Sequence, residues 1–562
     1  MPDVRVTIDG KEASVPRHYT ILEAARQMGI DIPTLCDHPV IKPIGACRMC
    51  LVEVEKQRVL QPACTFPVSE GMVVKSESPQ VVASRRFVLQ LLFSERNHYC
   101  MFCQMSGSCE LQNLAYRYGL DHWIYNRPFP KLPVDASRKY FAVDHNRCIL
   151  CRRCIRACDE QVGNNTLGLK HRGTATMVIA DMDVPFGESS CVSCGTCLQV
   201  CPTGALMDRA SAYMGATKEI TRVKTHCTAC SVGCGEELIV RENRVIRVEG
   251  DWDAEPNRGL LCDLGRFTPL SERRQRVRKP LLRGQNGLVE ASLEQALQEV
   301  AAKLKAAGGK ACTVVSGLAS TEAAKAAVEQ LPGEKALLEG APSGEACKLS
   351  VLDEADVYIV VNTDLTKDYQ VAGFALKRGV RHRGARLMLI GQGANGLDDW
   401  ASRKWSPGEA QKAVEIAQDA QKPVIIYGAQ GAVLASELAK ALPKATLMAF
   451  TPASNTFGAV SVGISAAFAP NGAKAYYILA GEAAKVDQAL LEALKTADFV
   501  AVQASYREPW EEVADVILPS PTAFEKSGTM INAEGRVCQL NAGVKSKLVS
   551  EVEIVERLGA LL

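Results

Sequence analysis

Close to the start of the chain, Val4, Val6 and Ile8 alternate with Arg5 and Thr7 up to Asp9-Gly10. This is the period-two pattern of a half-buried strand entering a tight turn, and a hairpin is expected to follow. Thr20 stands three residues before Glu23, at the head of a stretch carrying Ile21, Leu22, Ala25 and Met28. That arrangement is a capping-box helix start. A second helical stretch covers residues 84–94, and residues 237–248 read as a hairpin. From about Lys279 the pattern changes: alanine-rich helical stretches alternate with short apolar runs at 313–315, 357–361, 387–390, 424–427, 477–479 and 499–502. Strand alternating with helix predicts doubly wound α/β units.

A chain of 562 residues is too long for one hydrophobic core, and about three to five domains are expected. Lys and Arg (65) nearly balance Asp and Glu (63), so no strong global field favours nucleic acid or an anionic membrane, and proteins are the expected partners. The cysteines change the picture. Of 22, all but Cys312, Cys347 and Cys538 fall between Cys36 and Cys262. A secreted disulfide framework would account for such crowding, but Met1-Pro2-Asp3 opens no basic-then-apolar signal segment and disulfide-dense domains are short. No stretch approaches the ~20 apolar residues of a membrane helix. A soluble, cytoplasmic protein is expected, without direct membrane insertion and peripheral to a membrane only through partners.

Cys36, Cys47, Cys50 and Cys64 are spaced C-x10-C-x2-C-x13-C around Gly45-Ala46 and Arg48-Met49. Four thiolates suit a 2Fe-2S cluster, and small residues let backbone amides approach its sulfides. They also suit zinc, but zinc sites usually come as two close pairs, which these spacings are not. Further on, Cys100, Cys103 and Cys109 leave one coordination position open, for which His98 is the nearest candidate and His122 the reserve. Cys148, Cys151, Cys154 and Cys158 spell C-x2-C-x2-C-x3-C, and Cys191, Cys194, Cys197 and Cys201 repeat it before Pro202. In this two-cluster ferredoxin run the fourth cysteine serves the other cluster. One 4Fe-4S cluster is therefore assigned to Cys148, Cys151, Cys154 and Cys201, and its neighbour to Cys158, Cys191, Cys194 and Cys197. Arg152, Arg153 and Arg156 either tune these clusters or form a solvated basic face. Cys227, Cys230, Cys234 and Cys262 follow as C-x2-C-x3-C-x27-C and read as a further 4Fe-4S site. Gly391-x-Gly393-x-x-Gly396 follows a strand, but no helix opens at once after it, so a dinucleotide reading is weak.

These motifs, in this order, resemble the G subunit of complex I, with related iron-sulfur subunits of hydrogenase diaphorases and NAD-linked formate dehydrogenases, and the resemblance covers nearly the whole chain. In that family a histidine commonly stands four residues before the first cysteine of the second site, where this chain has Arg96. The last cluster motif, with Asn257-Arg258-Gly259-Leu260-Leu261-Cys262, resembles molybdopterin enzymes, as do 514–519, 525–529 and 532–536. Active members commonly carry a lysine two residues after the last cysteine; Leu264 stands there. Catalytic members also continue for several hundred residues beyond this point. Cys347 lacks the closely following histidine of a metal-ligating cysteine and, like Cys312 and Cys538, reads as a buried apolar residue.

The resemblance implies an α+β and α/β multidomain fold. It comprises a 2Fe-2S β-grasp ferredoxin (1–78), a histidine-plus-three-cysteine 4Fe-4S segment (79–138) and a two-cluster 4Fe-4S ferredoxin (139–217). A molybdopterin-oxidoreductase-type 4Fe-4S domain (218–275) and a degenerate, truncated molybdopterin-oxidoreductase-like α/β domain (276–562) complete it. It also implies one 2Fe-2S and four 4Fe-4S clusters, no molybdopterin, and no substrate-converting site on this chain. The implied partners are a flavin-containing NAD(P)H-oxidising subunit, a small 2Fe-2S subunit, and a downstream acceptor or catalytic subunit. The acceptor would be quinone-reducing, or belong to a soluble hydrogenase, formate dehydrogenase or flavin-based bifurcating complex. A catalytic molybdenum or tungsten reductase is the rival from another class.

Overall fold

The alternating N-terminal run forms β1 (Asp3–Ile8), which pairs antiparallel with β2 (Lys11–Pro16) in the register Val4–Val15 and Val6–Ala13. Asp9 and Gly10 join them with φ of 49° and 80°, the two left-handed residues that a tight hairpin turn needs. The computed structural model describes residues 3–125, 130–342, 344–469, 472–484 and 486–562. It divides the chain into two units, Met1–Ile220 and Thr221–Leu562.

In the first unit, β3 (Leu51–Val54), β4 (Gln61–Pro62) and β5 (Met72–Lys75) complete a five-stranded sheet of order β2-β1-β5-β3-β4. Val4, Val6 and Ile8 share one core with Ile21, Leu22, Val52 and Val74. The helix α1 (Ile21–Gln27) starts at the expected capping box: Thr20 Oγ1 accepts from the Glu23 amide, and the Glu23 carboxylate accepts from the Thr20 amide at 2.7 Å. The next helix, α2 (Pro79–Glu95), begins ahead of the expected residue 84, because Ser78 caps it and Pro79 occupies its first position. A proline there is preorganised for the helix, yet Pro79-Gln80-Val81-Val82 shows no helical periodicity. Arg85 on α2 is wholly buried. After α3 (Glu110–Arg117), the two cysteine runs each contain a short helix, Arg153–Arg156 and Thr196–Gln199. The runs match conformation for conformation: Leu150 and Ser193 have φ of 53° and 55°, and Arg152 and Gly195 have 59° and 71°.

The second unit opens with a three-stranded antiparallel sheet, Thr221–His226, Gly235–Arg241 and Arg244–Gly250, the last two being the expected hairpin. The six apolar runs all become strands, divided between two sheets. Ala311–Val315, Ala475–Gly481 and Phe499–Ala504 lie side by side and parallel in a seven-stranded sheet. Val357–Val361, Arg386–Ile390 and Pro423–Tyr427 form the centre of a five-stranded parallel sheet with Arg403–Trp405 and Thr446–Ala449 at its edges. The second sheet is thus inserted between strands of the first. Among the described residues, no helix is long and apolar enough to cross a membrane.

One ion pair closes the second unit's interior. Lys526 Nζ lies 2.9 Å from the Glu551 carboxylate, with both side chains nearly inaccessible at 5% and 3% exposure. Lys526 also donates to the Leu318 carbonyl, and Glu551 accepts from Ser520 Oγ. Lys526→Met strands a buried carboxylate, so a loss of about 3–5 kcal/mol is expected, read as a lowered urea midpoint of this unit. An unmoved midpoint would contradict it.

Candidate iron-sulfur sites

The loop between α1 and β3 carries Cys36, Cys47 and Cys50, and Cys64 follows β4. Cys36, Cys50 and Cys64 are buried and Cys47 half-buried. The Cys47 amide donates to Cys36 Sγ at 3.4 Å, and the four thiols feel one another: Cys36 with Cys47, Cys50 with Cys64, and across the pairs Cys50 with Cys47 and Cys64 with Cys36. The neighbouring Cys47 thiol, with the amides of Cys47 and Ala46 and the charge of Arg156, holds the Cys36 thiol low, at about 6, against the opposing effect of burial. Gly45 and Arg48 reach left-handed φ of 61° and 59°, and the Gly45 backbone bonds towards Cys64. This is the close amide approach that a charged cluster needs.

His98, Cys100, Cys103 and Cys109 line a single cavity with Phe93, Arg147 and Gly204. His98 bonds to the Leu92 backbone, and burial pushes its imidazole down to about 4, so the ring is neutral. Its Nε2 is buried and has no hydrogen-bond partner. A buried, unpaired ring nitrogen beside three thiols has the chemistry of a ligand whose orientation is fixed by its other nitrogen. His122, by contrast, is exposed and sits 2.6 Å from Asp121. Arg96, four residues before Cys100, is buried and donates to the Thr176 carbonyl at 2.8 Å.

The ferredoxin-type runs exchange their last cysteines. One cavity is lined by Cys148, Cys151, Cys154 and Cys201, and another by Cys158, Cys191, Cys194 and Cys197. The amides of Leu150 and Ser193 donate to the sulfurs of Cys148 and Cys191, each at 3.4 Å, which is what the left-handed turns achieve. Of the three arginines, only Arg152 is exposed; Arg153 and Arg156 are buried, so a solvated basic face is excluded for these two. Arg153 makes a two-pronged bond to Glu110 at 2.7 and 2.9 Å. Arg156 donates to the carbonyls of Cys36 and Lys42 and reaches that of Cys151 at 3.5 Å.

In the second unit Cys227, Cys230, Cys234 and Cys262 are grouped closely enough to raise one another's thiols, with burial the larger cause. The Cys227 amide donates to the Cys234 carbonyl at 2.8 Å. The amides of Gly265 and Leu264 point to Cys262, so Leu264 serves this site through its backbone. Gly265 is required: a Cβ there would stand 2.9 Å from Cys227 Sγ.

A cleft of about 770 Å³ opens in the second unit, lined by Asp364, Asp368, Tyr369, Gln392, Asn395 and Lys404 among others. The glycine fingerprint lies here, but residues 391–396 lead through Asp398–Trp400 into the strand Arg403–Trp405, so the fingerprint itself opens no helix. Lys404 already bonds to the Gly393 carbonyl and Asp398, at 2.6 and 2.7 Å. Two carboxylates, Asp364 and Asp368, against a Lys404 already paired with Asp398 give this lining a side-chain charge unfavourable to the anionic diphosphate of a pterin dinucleotide. Cys347 is absent from it and, unlike Cys312 and Cys538, is half-buried rather than buried; its amide donates to the Ala533 carbonyl.

Five families match the chain in order. They are a 2Fe-2S iron-sulfur cluster binding domain at 2–79, the NADH-ubiquinone oxidoreductase-G iron-sulfur binding region at 85–123 and a 4Fe-4S dicluster domain at 147–205. The molybdopterin oxidoreductase Fe4S4 domain follows at 220–270 and molybdopterin oxidoreductase at 276–550. The G 2 subunit of NADH-quinone oxidoreductase from Rhizobium meliloti is 36% identical over 55% of this chain and 36% of its own length. NADH-quinone oxidoreductase subunit 3 of Thermus thermophilus is 28% identical over 96% of this chain and 80% of its own. The alpha subunit of NADPH-Fe(3+) oxidoreductase from Geobacter sulfurreducens is 35% identical over 50% of this chain and 33% of its own. The chain therefore spans about a third of the length of two of these three relatives.

Proposed function

From its membership in the family of NADH-quinone oxidoreductase G subunits, we propose that this chain is the electron-transfer subunit of an NAD(P)H-linked oxidoreductase, built around one 2Fe-2S and four 4Fe-4S sites. The observation that carries this reading is the convergence of cysteines from separate runs on shared cavities, with the unpaired Nε2 of His98 completing the one that has three thiols. When bound, the clusters supply one-electron carriers. The protein's own part is to bury the ligands, aim amides at their sulfurs, and hold the modules in register through Arg85, Arg153 and Arg156. The ligand sets are those assigned above, and of the five segments 1–78, 79–138, 139–217, 218–275 and 276–562 the first four are their proposed hosts. The last segment serves as a scaffold, a reading supported by the donor chemistry of its cleft.

On this reading a flavin-containing NAD(P)H-oxidising subunit, next to a small 2Fe-2S subunit, delivers electrons, and a downstream subunit accepts them. The acceptor is quinone-linked, or belongs to a soluble hydrogenase, formate dehydrogenase or bifurcating complex; the second full ferredoxin run favours the soluble group. The cytoplasm is the location this reading entails. The test is anaerobic: dithionite should develop the reduced-state paramagnetic signals of the purified chain, NADH alone should develop none, and NADH with the flavoprotein partner should restore them. Reduction by NADH alone would overturn the reading.

The histidine assignment has its own test. His98→Ala should cost about four irons per chain and one 4Fe-4S signal, whereas His122→Ala should cost neither. Equal effects of the two substitutions would contradict it.

A further inference from the structure

Arg147 immediately precedes Cys148, yet its side chain faces a different site. Its Nη1 lies 3.4 Å from Cys103 Sγ, within donating distance of a sulfur acceptor, and it lines the cavity of His98, Cys100, Cys103 and Cys109. The guanidinium is held there from several directions. Nη1 also donates to the Gln104 side chain, Nε pairs with the Asp144 carboxylate at 3.1 Å, and the Arg147 carbonyl accepts from Thr203 Oγ1 at 2.9 Å. The side chain is 16% exposed, so its bonds are poorly screened. Gly204 allows the approach, because a Cβ there would stand 2.7 Å from Cys103 Sγ and 3.5 Å from Arg147 Cδ.

We infer that Arg147 is a tuning residue, whose N–H on the Cys103 sulfur raises the reduction potential of the site formed by His98, Cys100, Cys103 and Cys109. A donated hydrogen bond and a nearby positive charge favour the more negative, reduced state of an iron-sulfur site over the oxidised one. Asp144 offsets part of the charge at longer range, while the N–H aimed at sulfur acts at contact distance. Arg147 also joins two sites along the chain, its backbone running into Cys148 while its side chain reaches Cys103. The potential it sets governs how readily an electron rests on one side of that junction. Sequence alone does not reveal this, since an arginine beside a cysteine run is expected to serve that run.

The inference rests on the reading of these four residues as cluster ligands, and the experiment separates the two. Potentiometric titrations of the full-length chain, followed by electron paramagnetic resonance, compare the natural protein with Arg147→Gln, Arg147→Lys and His98→Ala. His98→Ala identifies the signal of this site by abolishing or altering it. Arg147→Gln should lower the midpoint of that same signal by about 59 mV, a tenfold change in a one-electron equilibrium, and leave the other midpoints in place. Arg147→Lys keeps the charge but loses the planar fork, and should recover part of the shift with full iron content. An unchanged midpoint in Arg147→Gln at full iron content would overturn the inference. If Arg147→Gln loses iron, an unchanged midpoint in Arg147→Lys would do so instead. If no signal responds to His98→Ala, the ligand reading fails and the inference falls with it.

Discussion

Cys201→Ala is expected to remove about four irons per chain, from a site whose other ligands belong to the preceding cysteine run. Cys201 lies in the cavity of Cys148, Cys151 and Cys154, and Cys158 in that of Cys191, Cys194 and Cys197. The matched left-handed turns at Leu150 and Ser193 aim equivalent amides at the first sulfur of each run, leaving the fourth cysteine to cross over. The double variant Cys148→Ala, Cys201→Ala discriminates sharply. If the two residues serve one cluster, it loses no more iron than either single variant; if they serve different clusters, the loss roughly doubles to about eight. The second outcome would contradict the exchange.

Arg85→Met should unfold the first unit at markedly lower denaturant and empty the 2Fe-2S site. Arg85 is buried on α2 and donates to the carbonyls of Met49 and Leu51, each at 3.0 Å, to Tyr118 Oη at 2.8 Å and to Glu77 at 2.9 Å. The two carbonyls flank Cys50, so one side chain fixes the loop that carries a proposed ligand. Methionine fills a similar volume but leaves the Met49 and Leu51 carbonyls without their donor, at about 1–3 kcal/mol for each that stays buried. Urea unfolding, with the 2Fe-2S signal recorded on the same samples, checks it. An unmoved midpoint with a full signal would show that the loop holds itself.

Much of this was legible from local pattern. The alternation of Val4, Val6 and Ile8, the Thr20–Glu23 capping box and the six apolar runs all specify elements through near neighbours. The cysteine spacings work similarly, because a ligand set is partly a constraint on chain length. What the sequence did not disclose depends on distant packing. The start of α2 was hidden by Pro79 and adjacent valines. The division of the apolar runs into two sheets depends on strand pairing across more than a hundred residues, as between Ala311–Val315 and Ala475–Gly481. The arginines were ambiguous for the same reason: Arg152, Arg153 and Arg156 are near neighbours in sequence, yet one is exposed and two are buried against loops from elsewhere. Arg147 offered no signal, because its sulfur partner Cys103 belongs to another segment. The unfilled coordination position points to His98, and its Nε2 is buried without a hydrogen-bond partner.

An electron-transfer chain on a scaffold without a pterin metal is tested by the iron, molybdenum and tungsten content of the anaerobically purified protein, normalised to this chain and read with its reduced-state paramagnetic signals. About eighteen irons, with one 2Fe-2S and four 4Fe-4S signals and neither molybdenum nor tungsten, is the predicted result. One molybdenum or tungsten per chain would contradict it and make the chain a catalytic subunit.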